Sequence, residues 1–484
     1  MSTITAPPGI SQAHLLPRVM QLLARDRWSR DQLLTYQAQR LRALIAHAVS
    51  ASPYYREVLG PAAASGDVPL KELPTLSKTA LLDDFDRIVT DPRLRRAGVE
   101  AHVAGPDPAQ PLHGEYQVFS TSGTTGQRGL LVQSRDEFLT AIASCVAGTA
   151  RYGVTPGARI VGIGSSSPFH ISRQIGQRIE ASLPSGGQVS PHLTATTPLP
   201  KMVAALNSYQ PQVLISYSSF AALLAEAQIQ GELDITPTQV CCAGEVLTGD
   251  MRHRIHEAWG LQPLQGYGAT EAIAIAGSCP EHVGMHIWED LVVLEAVDEH
   301  NRPVPPGTPS HKVLLTNLVN TTQPLIRYEL SDSVTLAAGP NPTGRPYQRI
   351  DRVDGRSDDI LTLPAPGGGT VAVHPAPLRA PFIEFPDVCQ YQICHDGTRL
   401  DVRVVLRACA APDTLARVRT ALLRVIESTG AIPPRVDVTP VSVIEREAGA
   451  AAKFKLVRST VCPSSCPTPS PSSIAVPPEP RKDG

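Results

Sequence analysis

A stretch rich in glycine and hydroxyl residues, FSTSGTTGQRGLL, runs from Phe119 to Leu131. The residues from Ser120 to Gly126 are all small, so they offer little side chain for packing. Glycines allow tight turns and close approach of the backbone to a ligand, while amides and hydroxyls converge on an anion such as phosphate. Arg128 adds a fixed positive charge. No Gly-Lys-Ser/Thr follows, so the stretch predicts a phosphate-binding loop that is not a Walker A loop.

A second stretch, GYGATE, runs from Gly266 to Glu271. The ring of Tyr267 could stack on a planar base, and the Thr270 hydroxyl could bind a phosphate oxygen. Glu271 offers a carboxylate to a divalent cation, and Mg²⁺ favours one or two carboxylates together with substrate phosphates. A glycine turn with a solvated glutamate is the alternative interpretation.

Two acidic turns follow. In PLIRYELSD, Asp332 ends an apolar stretch and could accept hydrogen bonds from a ribose diol. In DGRSDD, Arg356 and Asp358 share one short turn. Charged turns between strands are common, so these residues gain meaning only from their order along the chain.

Strands and helices alternate around these stretches. Apolar runs at Arg159–Ile163, Gln212–Ser216 and Val240–Ala243 predict buried parallel strands. This alternation predicts an α/β fold with a mostly parallel sheet, in which ligands bind beyond the carboxyl ends of the strands. The loops that follow predicted strands contain His170, Gly244 with Glu245, and GYGATE. Helices are predicted at Asp31–Ser50, Asp136–Ala150, Leu199–Gln210 and Phe220–Gln230.

The C-terminal part predicts a small α+β unit with a helix at Asp413–Ser428 and a strand at Arg435–Val438. The segment Glu445–Lys455 would be its mobile loop, and the Pro- and Ser-rich tail after Thr460 is typical of disorder. We therefore expect an N-terminal domain over residues 1–357, a lid domain over 358–460 and a disordered tail over 461–484.

Composition limits the possible partners and the compartment. The 484 residues suffice for two or three domains, and a net charge of -2 gives no general affinity for nucleic acid or an acidic membrane. Nine cysteines without paired spacing predict reduced thiols. Neither a signal sequence nor a long apolar run stands out, so we expect a cytoplasmic protein with no membrane span.

The order STSGTTG, GYGATE, IRYELSD, GRSDD and a late Lys453 resembles the adenylate-forming superfamily of acyl-CoA synthetases, carrier-protein adenylation domains and luciferases. SPYYR, ELPTLSK and CPEHVGMHIWED are similar to the phenylacetate-CoA ligase and CapK branch. The resemblance extends from about Leu33 to Ser459. It implies a large adenylation domain with mixed, mostly parallel sheets and a small α+β lid.

The resemblance also implies a role for each matching residue. Gly244 and Glu245 would lie along the adenine, Tyr267 would stack on it with Gly268 beside it in the nucleotide site, and Thr270 would bind the α-phosphate. Glu271 would bind Mg²⁺, Asp332 the ribose, and Arg356 the ribose or a phosphate, with a hinge at Asp358. His170 would lie near the acid and the α-phosphate, and a histidine that simply packs in its loop is the alternative. The β- and γ-phosphates of ATP would lie in the loop of Thr121, Ser122, Gly123, Thr124, Thr125 and Gly126.

Some positions depart from the family pattern. Arg128 stands where a lysine is usual, and Ala452 replaces the glycine before the catalytic lysine, so both Lys453 and Lys455 remain candidates for that role. YELSD keeps the aspartate of the pattern and loses its glycine. The loop after GRSDD differs from that of the phenylacetate branch, so transfer to the thiol has less support than activation of the acid.

The expected reaction joins two anions, a carboxylate and ATP, while pyrophosphate leaves. Catalysis is then mostly positioning and charge neutralisation, supplied by Mg²⁺, backbone amides, Thr270 and a mobile lysine. We expect an aromatic or hydrophobic acid to be activated and passed to coenzyme A. Transfer to a carrier-protein thiol or an amine is the first alternative, and a non-catalytic nucleotide-binding relative is the second.

A zinc site is a further possibility, formed from Cys241, Cys242, Cys279, His282 and His286. Their separation is not that of a compact zinc module. Buried cysteines also serve simply as small hydrophobic residues, which is the alternative interpretation.

Overall fold

A computed structural model describes residues 12–66, 68–105, 110–120, 129–155, 157–181, 190–281, 283–356, 359–446 and 454–459. Several residues singled out from the sequence lie outside this part of the chain. They are the loop residues 121–128 with Arg128, together with His282, Asp358, Ala452, Lys453 and the tail from residue 460.

Helices form the N-terminal part of the described chain. Ser29 caps the helix Arg30–Ala51, α2, in a reciprocal capping box with Gln32. Ser52 ends that helix and caps the next one, Pro53–Ala63, α3. Pro53 lies in the first turn of α3, where its missing N–H costs no hydrogen bond. The first six helices are α1 Gln12–Ala24, α2 Arg30–Ala51, α3 Pro53–Ala63, α4 Lys78–Asp83, α5 Phe85–Ile88 and α6 Arg96–Ala104.

An antiparallel hairpin flanks the predicted phosphate loop. Strand β1, Tyr116–Ser120, pairs with β2, Leu130–Ser134, with Val118 opposite Val132. Helix α7, Arg135–Arg151, starts directly after β2, where Ser134 and Glu137 form a capping box. The two ends of the loop are therefore anchored on a regular hairpin.

The central sheet follows. Its parallel strands β3, Ile160–Gly164, and β4, Leu193–Thr194, are separated by helix α8, Ile171–Ala181. The next strands and helices are α9 Leu199–Tyr209, β5 Val213–Ser216, α10 Ser218–Ile229, β6 Gln239–Ala243, α11 Gly249–Trp259, β7 Leu264–Tyr267, β8 Ala276–Ser278, β9 Met285–Ile287, β10 Val292–Val297, β11 Lys312–Asn317, β12 Tyr328–Leu330, β13 Asp332–Leu336 and β14 Arg349–Arg356.

Nine strands make up this sheet, in the order β13-β14-β9-β8-β7-β6-β5-β3-β4, and β10, β11 and β12 form a separate sheet. Neighbours from β4 to β7 are parallel, and the pairs from β7 to β13 are antiparallel. The α/β architecture predicted from the sequence is confirmed. The antiparallel strands β8, β9, β13 and β14 extend the sheet beyond the predicted parallel part.

The C-terminal part forms a smaller α+β unit. Its four-stranded sheet has the order Arg435–Pro440, Arg399–Leu406, Val388–His395 and Val457–Ser459, and the helix Thr414–Ser428 buries Val418, Leu422 and Ile426. The contacts between this unit and the larger body include a hydrogen bond from Arg254 to the Val388 carbonyl and an ion pair of Arg407 with Glu226. The boundary at residue 358 stays a prediction. The elements are β15 Leu361–Pro364, β16 Thr370–Val373, α12 Pro375–Arg379, β17 Val388–His395, β18 Arg399–Leu406, α13 Thr414–Ser428, β19 Arg435–Pro440 and β20 Val457–Ser459.

Candidate active site

The GYGATE turn leaves the carboxyl end of β7 and folds back on itself. Ala269 and Ala272 exchange backbone hydrogen bonds, and the Ile275 amide donates to the Tyr267 carbonyl. A Cβ at Gly268 would lie 1.9 Å from the Ile273 carbonyl oxygen, so only glycine fits there. Gly268 is thus required for the close packing of this turn, whatever it contributes to a ligand.

The Glu271 carboxyl lies among groups of both charges. Burial raises its pKa above the ordinary value, whereas Arg356 and a hydrogen bond from the Tyr328 hydroxyl favour its charged form. Asn317 Nδ2 donates to the Glu271 backbone carbonyl at 2.8 Å. The backbone of Glu271 is therefore fixed. Its buried carboxyl favours the neutral form, and added positive charge nearby would favour the charged form.

Asp332 connects two other predicted residues. Tyr267 Oη donates to Asp332 Oδ2 at 2.9 Å, and Arg356 Nε lies 3.4 Å from Asp332 Oδ1. Burial and the neighbouring Asp332 raise the pKa of Tyr267 well above its ordinary value, so this hydroxyl stays a donor. Because Asp332 and Arg356 face each other across the pair β13–β14, the sheet itself fixes the position of the ion pair.

His170 lies in the loop between β3 and α8. Its Nδ1 is 2.8 Å from Ser172 Oγ. The same loop is tied to β1, because the Ser120 amide donates to the Phe169 carbonyl and Gln174 Nε2 donates to the carbonyls of Val118 and Pro168. The His170 loop is thus fixed to the strand that leads into the predicted phosphate loop.

Glu245 belongs to a second network, which reaches the C-terminal unit. Its Oε1 accepts from the Phe454 amide at 2.8 Å and lies 3.6 Å from Arg446 Nη1, while its Oε2 accepts from the Ser219 amide at 3.0 Å. Arg446 also lies over the Phe220 ring, 3.7 Å from its centroid. The carboxylate therefore holds the C-terminal segment on the larger body.

The neighbouring Gly244 has φ 76°, and a Cβ there would lie 2.8 Å from the Tyr217 ring. Glycine is therefore needed for both the backbone conformation and the fit against Tyr217. Gly244 itself is exposed, so its backbone is open to a ligand.

Of the two candidate lysines, Lys455 lies within the described residues. Its Nζ is 3.5 Å from Asp359 Oδ1, and its carbonyl accepts from Gln392 Nε2 at 2.9 Å. Both ends of Lys455 are thus held by the C-terminal unit itself. Lys453 is two residues earlier and outside the described part of the chain.

The structure therefore brings Tyr267, Glu271, Asp332 and Arg356 together in one cluster. Thr270 lies in the same turn, whereas Glu245 and His170 belong to the separate networks described above. Sequence reasoning missed four contacts: Tyr328 on Glu271, Asn317 on the Glu271 carbonyl, and both Arg446 and Phe454 on Glu245. Tyr328 stands within IRYELSD, and its alternation with Leu330 in a strand was the signal available for it.

No group of three or more His, Cys, Asp or Glu residues suited to a metal ion occurs among the described residues, and His282 is outside them. Cys241, Cys242 and Cys279 are free and buried, and burial raises the pKa of Cys241 to about 12. Burial also lowers the pKa of His286 to about 4. These residues pack as part of the fold.

Residues 33–311 match the sequence model of the AMP-binding enzyme family. The chain belongs to this family. Its predicted superfamily and its predicted class, an AMP-forming ligase, are confirmed. The chain is 26% identical to a phenylacetate-coenzyme A ligase of Thermus thermophilus over 75% of its length and 78% of the relative's. The Escherichia coli phenylacetate-coenzyme A ligase is 27% identical over 73% of this chain and 77% of the relative. The CapK protein of Staphylococcus aureus is 22% identical over 68% of this chain and 69% of the relative.

Solved structures show the same fold. A 2-hydroxyisobutyryl-CoA ligase in the postadenylation state, in complex with 2-HIB-AMP, matches with a TM-score of 0.70 at 19% identity, over 95% of this chain and 94% of that one. An anthranilate CoA ligase in complex with anthranoyl-AMP matches with a TM-score of 0.52 at 16% identity, over 70% of this chain and 65% of that one. This AMP-binding enzyme thus shares its architecture with adenylate-forming ligases.

The part of the chain that the structure describes contains no helix whose length and apolar character would let it cross a membrane.

Proposed function

We propose that this AMP-binding enzyme is an ATP-dependent ligase that activates a carboxylic acid as its adenylate and passes the acyl group to coenzyme A. The observation that carries the proposal is the contact cluster of Tyr267, Asp332, Arg356 and Glu271 beyond β7, within a chain that matches the AMP-binding family. A ribose diol, a phosphate and a cation each find a suitable partner within this cluster.

In this proposal Asp332 accepts hydrogen bonds from the ribose hydroxyls. The Tyr267 hydroxyl already occupies one Asp332 oxygen at 2.9 Å, which orients the carboxylate for the other contacts. Arg356 shares Asp332 and supplies positive charge to the ribose or phosphate. The exposed backbone at Gly244 is free to lie along the adenine, while the Glu245 carboxylate holds Phe454.

The residues present fit a magnesium ion. Burial raises the pKa of the Glu271 carboxyl, and a nearby cation would restore its charged form. Glu271 would be the protein ligand, and phosphate oxygens would supply the other contacts. When bound, the ion neutralises charge on the phosphates of ATP. Asn317 also holds the Glu271 backbone, which fixes the point from which the side chain extends.

The chain's own groups position the reactants. Thr270, next to Glu271 in the turn, would donate to the α-phosphate, and His170 would line the acid side from its loop after β3. Lys453 would approach the α-phosphate from the C-terminal unit, and the predicted loop at residues 121–128 would hold the β- and γ-phosphates. Holding two anions in line while donors surround the developing charge accounts for most of the catalysis expected here.

The acid and the acceptor are proposed from the relatives. Two phenylacetate-coenzyme A ligases share 26% and 27% identity with this chain, which favours an aromatic or otherwise hydrophobic acid and coenzyme A. Tyr217, directly after β5, and Phe220, in the first turn of α10, are buried and are proposed as apolar walls. We further propose that residues after Asp358 turn as a lid between the two half-reactions.

Product analysis tests this proposal. The full chain is incubated with ATP, magnesium, coenzyme A and a panel of aryl, fatty and amino acids, and the products are identified by mass spectrometry. Formation of AMP, pyrophosphate and an acyl thioester supports the proposal. Hydroxamate formed with added hydroxylamine, but no thioester, would instead indicate a carrier protein or an amine as the acceptor. No AMP with any acid would indicate a non-catalytic nucleotide-binding protein.

A further inference from the structure

Three buried amide side chains connect the GYGATE turn to the hairpin around the predicted phosphate loop. We call Asn317, Asn320 and Gln323 the amide bridge. Gln323 is 0% exposed, Asn320 is 1% and Asn317 is 4%, so each polar group must find a protein partner. Their partners lie in two different parts of the larger body.

At one end, the bridge holds Glu271. Asn317 Nδ2 donates to the Glu271 carbonyl at 2.8 Å, and Asn317 Oδ1 accepts from the amides of Val319 and Asn320. The side chain therefore fixes its own turn and the proposed cation-binding residue at once.

At the other end, the bridge holds β2. Gln323 Oε1 accepts from the Val132 amide at 2.9 Å, and Gln323 Nε2 donates to the Leu130 carbonyl at 3.2 Å. Asn320 Nδ2 donates to the Val132 carbonyl at 3.0 Å. Leu130 and Val132 are alternate residues of β2. In an antiparallel pair, the backbone amide and carbonyl of every second residue point away from the partner strand. A side-chain amide carries an oxygen acceptor and two N–H donors. The Gln323 side chain therefore makes the two hydrogen bonds that a third strand beside β2 would make with its peptide groups.

The segment is also tied to the start of α7. Glu137 Oε1 accepts from the amides of Thr321 and Thr322 and from the Thr321 hydroxyl, and Glu137 Oε2 accepts from the Ser134 amide. Both ends of β2 are thus fixed to residues 317–323. A buried network with all these groups paired is rigid, because a shift would leave buried donors and acceptors without partners.

We infer that the amide bridge positions the phosphate-binding hairpin relative to Glu271, so that the outer phosphates of ATP meet both. Asn320 and Gln323 are positioning residues, because they act through β2 and Glu271. This inference rests on the proposed function, and it goes further by assigning buried residues outside the predicted site to the recognition of the triphosphate.

Nucleotide binding to the full chain, measured by calorimetry with magnesium present, tests the inference. Gln323→Met keeps the length of the side chain and leaves the Val132 amide and the Leu130 carbonyl unpaired. We expect about tenfold weaker binding of ATP, because a displaced hairpin no longer holds the outer phosphates in position relative to Glu271. The affinity for AMP should change by less than about twofold, because AMP lacks the outer phosphates and makes no contact that depends on the position of β2.

Tyr55→Phe is the matched control. The Tyr55 hydroxyl is buried and bonds the Pro324 carbonyl and the Ile326 amide, so it holds the residues that directly follow the amide bridge without reaching β2. We expect Tyr55→Phe to lower the unfolding midpoint as Gln323→Met does and to keep the ATP affinity. Asn320→Ala, which among the bonds to β2 removes only that of Asn320 Nδ2 to the Val132 carbonyl, should weaken ATP binding less than Gln323→Met does and serves if the methionine variant does not fold.

The outcomes separate the two proposals. ATP binding to Gln323→Met equal to that of the unchanged chain, or equal weakening of ATP and AMP, overturns the positioning role and leaves the proposed function standing. Equal weakening of ATP binding by Tyr55→Phe overturns it as well. No binding of ATP to the unchanged chain overturns the proposed function and the bridge together.

Discussion

The Tyr267 hydroxyl donates a hydrogen bond to Asp332 Oδ2 at 2.9 Å, which joins the carboxyl end of β7 to the start of β13. The two residues are distant in sequence, and the order of the sheet brings them together with Arg356. A residue proposed to pack against the base thereby orients the residue proposed to bind the ribose.

The Tyr267–Asp332 pair predicts coupled effects on ATP binding. Tyr267→Phe keeps the ring and removes the donor, so KM for ATP should rise about threefold to tenfold, which corresponds to roughly 0.7–1.4 kcal/mol, the net contribution of one typical hydrogen bond. Asp332→Asn should have a larger effect, because it also weakens the pairing with Arg356. Steady-state kinetics of the single and double variants give the coupling energy, and fully additive effects would show that the contact does not matter for binding.

Glu271→Gln should lower the rate of adenylation. Adenylation should fall by about 100-fold or more, the cost typical of removing one electrostatic contact from an active site. Exchange kinetics measured at saturating ATP provide the check. An active Glu271→Gln variant would contradict the role of this carboxylate.

The stability of the same variant should depend on pH. The folded pKa of Glu271 is raised above its ordinary value of 4.5, so the protonated form favours folding. This contribution is complete below pH 4.5 and is lost as pH rises through the folded pKa. Thermal unfolding without ligand should therefore show similar midpoints for both proteins at low pH and an advantage for Glu271→Gln above that pKa. A constant difference across this range would be inconsistent with the raised pKa.

Lys453 and Lys455 should differ in effect. Lys453→Ala should suppress adenylation and spare acyl transfer from a supplied acyl-adenylate. Lys455→Ala should retain most of the adenylation rate, because Lys455 Nζ pairs with Asp359. Rates of the two half-reactions for both variants provide the measurement, and the reverse pattern would assign the catalytic role to Lys455.

The contact of Arg446 with Glu245 should matter for the first half-reaction. Arg446→Ala removes the ion pair at 3.6 Å and the stacking on Phe220, so it should slow adenylation by about tenfold. Arg403→Ala is the control, because Arg403 is exposed and pairs with Asp401 in the C-terminal sheet. Loss of adenylation in both variants, or in neither, would show that this contact does not position the C-terminal segment.

Much of the fold followed from local sequence patterns. The apolar run predicted as Gln212–Ser216 is the strand Val213–Ser216, and the helix predicted at Asp136–Ala150 is Arg135–Arg151. Local periodicity and capping residues determine these elements, so they can be predicted without knowing which other elements they pack against. The antiparallel extension of the sheet depends on pairing between distant strands, which no local pattern encodes.

The site was predictable where a short motif holds its residues. GYGATE and the two acidic turns supplied Tyr267, Glu271, Asp332 and Arg356. Tyr328, Asn317 and Arg446 escaped prediction, because each acts through one contact with a residue far along the chain. The amide bridge was equally hidden, since buried Asn and Gln look like ordinary polar loop residues in the sequence.

The most direct test of the account is exchange of labelled pyrophosphate into ATP by the unchanged chain, measured with each of a panel of aryl, fatty and amino acids. We predict exchange that depends on one class of acid, with preference for aromatic or hydrophobic members, and its loss in Glu271→Gln. Absence of exchange with every acid, or equal exchange without any acid, would contradict the claim that this protein adenylates a carboxylate.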